Sequence, residues 1–304
     1  MLRTFNAMKR QVPAGAQELD DRQIASLRQC LVGMLKDIAS FCSSHGISFA
    51  LCGGSALGAV REHGMIPWDD DIDICMPRAD YERFAQLFTD ECGEKYVLQQ
   101  PGITAGYPLS LAKIRKRGTV YKTRDDFCCE ECGVPVDLFI VENTYNDPVR
   151  RTLHGILSLA AGLALSCRKF CRDRSRLLSS VPDHNALRLK ILLKIAVGVL
   201  LAPLGNTDSW ARRTDRIHSM CHDPTTRYIT TPSGRYCFFR EMWLREEYCS
   251  YRNEIFEGME LPVPLMIEKY FERGYGDWQT TPDTFKKEKH YAYQFMMQED
   301  LPND

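Results

Sequence analysis

Between residues 53 and 78 the chain reads GGSALGAVREHGMIPWDDDIDICMPR. Two glycines and a hydroxyl (Gly53, Gly54, Ser55) lead to four aspartates within five positions, Asp69, Asp70, Asp71 and Asp73. Asp71 and Asp73 alternate with Ile72 and Ile74, the two-residue period of a strand, in which alternate side chains share a face. The two carboxylates then point together while the isoleucines enter a core. Adjacent carboxylates repel unless a cation lies between them. Oxygen donors favour a hard divalent ion, Mg²⁺ or Mn²⁺. This block therefore demands a strand edge, a glycine turn beside it and a third element to complete a metal site.

The rest of the chain is what such a site needs around it. The 304 residues suffice for a sizeable core and one or two domains. A net charge of −1 argues against nucleic acid as partner. An apolar fraction of 44% with 10% aromatics argues against disorder. Thirteen scattered cysteines, an odd number, follow a start (Met1 to Pro13) without an apolar run. That usage fits free thiols in a reducing cytosol. Cys129 and Cys132, with Cys128 beside them, form one C-x-x-C. A zinc site with His218, Cys221 and His222 can be drawn, but a single pair points first to loop thiols.

Residues 1–18 read as a polar lead-in. Apolar residues at helical spacing (Ile24, Leu27, Leu31, Leu35, Ile38, Phe41) predict a helix over 19–44, ended by His45–Gly46. Ile47–Cys52 reads as a strand that delivers the chain to the glycine turn, with Ser55 capping a short helix through Arg61. Ile72–Met76 is a second strand, followed by an amphipathic helix over Ala79–Thr89. Leu109–Arg115 and Val134–Val141 are further strands. In the last of these a lone carboxylate, Asp137, interrupts apolar sequence, where a charge must be paired or bound to metal.

The middle changes character. Leu153–Cys167 has no formal charge, Arg168–Arg176 is basic, and Leu187–Leu204 holds only Arg188, Lys190 and Lys194. Neither apolar run reaches the roughly 20 residues of a spanning helix. Two arrangements are open: a pair of buried core helices, or a pair resting on an anionic membrane face. In the tail, Pro262 and Pro264 interrupt an extended segment, Leu265–Glu272 reads as a helix, and His290 follows as a polar residue of undecided role.

A glycine turn after a strand lets backbone N–H groups approach a phosphate, and Ser55 adds a hydroxyl. Asp71, Asp73 and Asp137 would hold one or two metals, the arrangement that supports in-line phosphoryl transfer. Lys113 and Arg115 alternate on their strand and would face the same phosphates, although a surface or ion-pairing role suits them as well. Asp69 and Asp70 serve either the loop and Arg61 or the metal.

Strand, Gly–Gly–Ser, helix, Asp-x-Asp strand and lone-Asp strand, in that order, resemble the nucleotidyltransferase superfamily. GGSALGAVREHGMIPWDDDIDICMPRADYERF is similar to the signature of the LicD family, the phosphocholine transferases related to fukutin-type transferases. IEKYFERGYGDW resembles that family's distal motif. The resemblance covers about residues 20–145 and 255–292.

It implies an α/β fold, a nucleotidyltransferase-like mixed β-sheet flanked by helices. Its catalytic core is expected over 19–150, a helical insert, buried or membrane-proximal, over 151–205, and a C-terminal region over 206–304 completing the substrate site. The implied catalytic and metal residues are Asp71, Asp73 and Asp137. Gly53, Gly54, Ser55, Arg61, Trp68, Lys113 and Arg115 would contact substrate. The implied reaction moves phosphocholine, or a similar alcohol phosphate, from a CDP-activated donor to a hydroxyl of a surface glycan or teichoic acid-like precursor, releasing CMP. A lipid-linked acceptor would put the protein in the cytoplasm, peripherally on the inner membrane face. A choline cargo calls for an aromatic cage, with Trp68, Tyr107, Tyr121, Tyr275 and Trp278 as candidates. The alternatives are a nucleotidyltransferase that releases pyrophosphate and a catalytically idle, membrane-associated assembly factor.

Overall fold

The computed structural model describes residues 15–123, 126, 129, 131–179, 181, 186–281 and 291–297. Cys128 and His290 lie outside the described residues.

Strand β1 (Gln17–Glu18) precedes helix α1 (Asp21–His45). The Asp20 carboxylate accepts from the Gln23 amide and the Gln23 side chain accepts from the Asp20 amide, a reciprocal cap that starts α1. Gly46 ends it in the left-handed conformation. Strand β2 (Ala50–Leu51) runs into α2 (Gly53–Glu62), and β3 (Asp73–Pro77) into α3 (Arg78–Cys92). Strands β4 (Tyr96–Gln99), β5 (Ala112–Lys116), β6 (Val120–Lys122) and β7 (Pro135–Thr144) follow. Helices α4 (Pro148–Arg172), α5 (Arg174–Ser179), α6 (Ala186–Leu200) and α7 (Thr207–His218) form the middle. The C-terminal part contains β8 (Tyr228–Thr230), α8 (Cys237–Arg240), β9 (Met242–Leu244), α9 (Arg245–Tyr248), β10 (Tyr251–Phe256), β11 (Met259–Pro264), α10 (Ile267–Tyr275), β12 (Tyr291–Ala292) and β13 (Gln294–Met296).

The fold is α/β. The central sheet has the order β2-β3-β7-β5-β4, and β8 and β9 extend it from the far end of β7. It is mixed: β3 and β7 run parallel, and the other pairs are antiparallel. Buried Ile74, Met76, Val136, Leu138 and Ile140 make the centre of the core. Helices α1 and α3 close over it through Leu31, Leu35, Phe84 and Phe88. The middle helices attach to the sheet through charge where Arg78 at the start of α3 pairs with Glu142 on β7 and with Asp215 on α7 at 2.9 Å.

Several boundaries differ from the sequence reading. Ser55 does not cap α2. The helix starts two residues earlier, Cys52 holds the cap position without a side-chain bond, and Ser55 is buried. Strand β3 starts at Asp73, so Asp71 stands just ahead of it. Pro262 and Pro264 do not break extended structure. They sit two apart in β11 of a two-stranded hairpin, where the missing N–H of each is tolerated at an edge. The hairpin turns at Glu257 and Gly258, both at positive φ (51° and 76°). Glu257 accepts the Met65 amide at 2.8 Å, tying this C-terminal hairpin to the loop that enters the aspartate block.

Candidate active site

The site is built across three strands. In the ladder Asp73 of β3 stands opposite Asp137 of β7, and Asp137 stands opposite Lys113 of β5. Residues in register on neighbouring strands share a face, so the three side chains form one row. Lys113 Nζ donates to Asp137 Oδ1 at 2.5 Å. Burial works against the Lys113 charge, but the Asp137 carboxylate outweighs it and holds the ammonium above its ordinary pKa.

The glycine turn grips the end of this row. The Cys52 amide donates to the Asp73 carbonyl at 3.1 Å, and the Asp73 amide donates to Ser55 Oγ at 2.9 Å. Gly53 has φ +53°, and a Cβ there would lie 2.5 Å from Asp73 Oδ2. A Cβ on Gly54 would lie 2.7 Å from Asp69 Oδ2. Both glycines are therefore required locally by carboxylates that fill the space over the start of α2, where the positive end of the helix dipole favours them.

Asp69, Asp70 and Asp71 each offer an oxygen within 4.8 Å of the others. Burial, and then Asp71, Asp73 and Asp70, push the Asp69 pKa well above the ordinary carboxylate range. The Tyr121 hydroxyl donates to Asp70 Oδ2 at 3.0 Å. The Tyr275 phenol, from the distal motif, is pushed up by burial, by Asp73 and by Asp69, with Arg235 acting the other way. A crowded, all-oxygen, anionic donor set with this mutual repulsion fits a hard divalent cation.

The remaining candidates separate. Arg61 Nη1 donates to the Trp278 carbonyl at 2.8 Å, its Nε to Glu62 at 2.7 Å, and its guanidinium lies 6.0 Å from the Trp68 ring centre. Arg61 and Trp68 thus join the aspartate loop to the distal motif. Arg115 is a correction: it shares the Lys113 face of the strand but is turned to a buried ion pair and is closed to substrate. Its side chain is buried, paired with Asp126 and bonded to Gln99 Oε1 at 2.7 Å and to the Gly133 carbonyl at 2.9 Å. Nε, Nη1 and Nη2 each donate within the core and the side chain is buried, so it is closed to a phosphate. Tyr107 is buried with its hydroxyl on the Leu111 carbonyl, and Tyr121 is buried against Phe295. Neither presents a ring for a cage.

Arg235 and the closeness of Tyr275 to the aspartates were not legible in sequence. Arg235 lies in an irregular loop, TPSGRY, whose pattern has no period. That loop is fixed from below: the Glu241 carboxylate accepts the Tyr236 amide at 3.0 Å, and the Tyr236 hydroxyl donates to the Gly274 carbonyl at 2.5 Å.

Comparison with known proteins agrees with this architecture. Residues 46–143, which hold the glycine turn and the whole row, match the family described as LicD/FKTN/FKRP, nucleotidyltransferase domain. The chain is 36% identical over 257 residues to the lipopolysaccharide cholinephosphotransferase LicD of Haemophilus influenzae, covering 83% of this chain and 89% of that protein. An uncharacterised Rickettsia typhi protein is 33% identical over 69 residues, 23% of this chain and 21% of that protein. One from Rickettsia prowazekii is 26% identical over 134 residues, 42% of this chain and 41% of that protein. The chain belongs to the LicD/FKTN/FKRP nucleotidyltransferase-domain family and is a LicD-like phosphotransferase.

Proposed function

We propose that this chain transfers phosphocholine, or a closely similar alcohol phosphate, from a CDP-activated donor to a hydroxyl of a cell-surface glycan or its lipid-linked precursor, releasing CMP. The observation that carries this reading is the row Asp73–Asp137–Lys113 beside the Asp69–Asp71 cluster, in a chain 36% identical to a cholinephosphotransferase that acts on lipopolysaccharide.

Asp71 and Asp73, with Asp69 and Asp70 alongside, would hold Mg²⁺ or Mn²⁺, and Asp137 would complete the set. A divalent ion there supplies neutralising charge for the donor diphosphate. The first turn of α2, at Gly53, Gly54 and Ser55, offers N–H groups to phosphate oxygens. Lys113 holds Asp137 Oδ1, which leaves Oδ2 for the metal; in the alternative in which Asp137 stays off the metal, Oδ2 takes the acceptor hydroxyl proton as the new O–P bond forms and the bond to CMP breaks. Arg61 bridges the aspartate loop to Trp278 and fixes the wall on which the cargo sits. Trp68, Tyr275 and Trp278 are the aromatic surfaces left for a quaternary ammonium.

The test is incubation of the purified protein with Mg²⁺ and, separately, CDP-choline, CDP-ribitol and CDP-glycerol, with and without lipopolysaccharide. Acceptor-stimulated CMP from CDP-choline is expected. Absence of CMP from every donor, or pyrophosphate release from CTP in its place, defeats the reading.

A further inference from the structure

The face of α4 and α6 turned away from the core is apolar and uncovered. On α4, Val149, Leu153, Ile156 and Leu157 recur at helical spacing and are exposed. On α6, Leu189, Leu193 and Leu200 do the same, Leu189 at 71% and Leu200 at 77% exposure. The opposite side of α6 is accounted for: Leu187, Ile191, Lys194 and Gly198 are buried. A Cβ on Gly198 would lie 2.3 Å from the Cys167 carbonyl oxygen, so α6 sits backbone-close on α4. The two exposed stripes therefore belong to one packed pair, and among the described residues no neighbouring element covers them.

Charge says what fits this face. From Asp147 to Thr207 the sequence has ten Lys and Arg, three Asp and no Glu. Asp147 is spent capping α4, accepting the Arg150 amide at 2.8 Å. Asp173 is buried and paired with Arg172 at 2.8 Å. Asp183 lies outside the described residues. The exposed Arg150 and Lys190 stand one turn from Leu153 and Leu193, where long stems can lie along acyl chains while the charges reach headgroups. A second copy of the chain would bring these like charges face to face, whereas anionic headgroups neutralise them. Among the described residues no helix is long and apolar enough to cross a membrane.

We propose that the α4–α6 face is a docking surface for an anionic lipid bilayer, on which the two helices lie in the plane of the interface. The surface stands independently of the reaction assigned to the aspartate site. It is read by flotation of the full chain with vesicles of phosphatidylcholine alone and of phosphatidylcholine with phosphatidylglycerol. Co-flotation with the anionic vesicles is expected, weakening as salt is raised. Leu153→Glu and Leu193→Glu should each lower the partition coefficient on the order of tenfold or more, because each removes a leucine that would enter the bilayer and adds a repelled charge. Both residues are exposed, so thermal unfolding of the variants should match that of the parent. The proposal is overturned if anionic vesicles do not bind the chain, if the Glu variants float as well as the parent, or if light scattering shows a dimer that these substitutions dissociate and vesicles do not.

Discussion

Asp73 and Asp137 face each other across the only parallel strand pair among the described residues, with Lys113 bonded to Asp137 from its other side. A parallel register fixes which residues meet without any turn to set it, so the relationship depends on the whole crossover between β3 and β7. Asp73→Asn and Asp137→Asn keep shape and remove charge. Each should lower CMP release on the order of 10³-fold, the several kcal/mol that charge stabilisation of phosphoryl transfer supplies. Thermal stability should hold or rise in Asp73→Asn, since a repelling carboxylate is lost. CMP release measured by chromatography checks the first point and calorimetry the second; an active Asp73→Asn enzyme would remove Asp73 from the site.

Gly53→Ala separates backbone strain from crowding. Gly53 and Gly46 both sit at positive φ, 53° and 59°, but only Gly53 has an oxygen, Asp73 Oδ2, where a Cβ would go. Gly46→Ala should cost about 1–2 kcal/mol and leave turnover intact. Gly53→Ala pays the same strain and also displaces the Asp73 carboxylate, so turnover should fall at least about a hundredfold when a reacting group moves by about an ångström. Urea unfolding and CMP release on both variants decide this; equal activity in the two would show that Asp73 tolerates the shift.

Lys113 and Arg115 are two apart on β5 and do different things. Arg115→Met strands the buried Asp126 carboxylate and should destabilise by about 3–5 kcal/mol. Adding Asp126→Asn should recover part of that loss. Lys113→Met leaves the partly exposed Asp137 unpaired, a smaller stability loss, with the larger effect on turnover. A stable Arg115→Met protein with weakened donor binding would reverse the assignment.

Strands β2, β3, β5 and β7 and helices α1 to α3 were legible because their periods are regular, with Gly46 a standard stop on α1, whereas β4, β6, β8 and β9 were not read. Alternation with the isoleucines picked out Asp71 and Asp73, and a lone charge in apolar sequence picked out Asp137, but neither shows that Asp73 and Asp137 share a row, since register is set by pairing and not by spacing along the chain. Arg115 misled for a related reason: alternation with Lys113 assigns a face, and only the tertiary position of Asp126 shows that this part of the face is buried. Trp278 could be guessed from its motif, whereas Arg235 is brought near Tyr275 by a loop whose anchor, Glu241, comes later in the chain. For the middle helices, composition alone left open whether they would be buried or face outward, and the stripes of α6 emerge only in the fold.

The contact between α4 and α7 should loosen in mild acid, and His218 is the reason. Burial, then Arg78 and His154, push His218 from 6.5 down to about 3. His154 is lowered as well by burial, with its Nε2 at 2.8 Å from the Ile217 carbonyl, which must accept, so Nε2 carries the proton. A His held neutral in the folded protein binds its proton only on unfolding. Between pH 6.5 and 3 the unfolded chain therefore holds more protons, and stability falls as pH falls through that window. At pH 5 the 1.5-unit gap below the unfolded value corresponds to about 2 kcal/mol from His218. His218→Gln cannot titrate, so its melting temperature should drop less than the parent's between pH 7 and pH 5, by several degrees. Parallel melting curves across that range would show that His218 is not the group whose protonation loosens the helices.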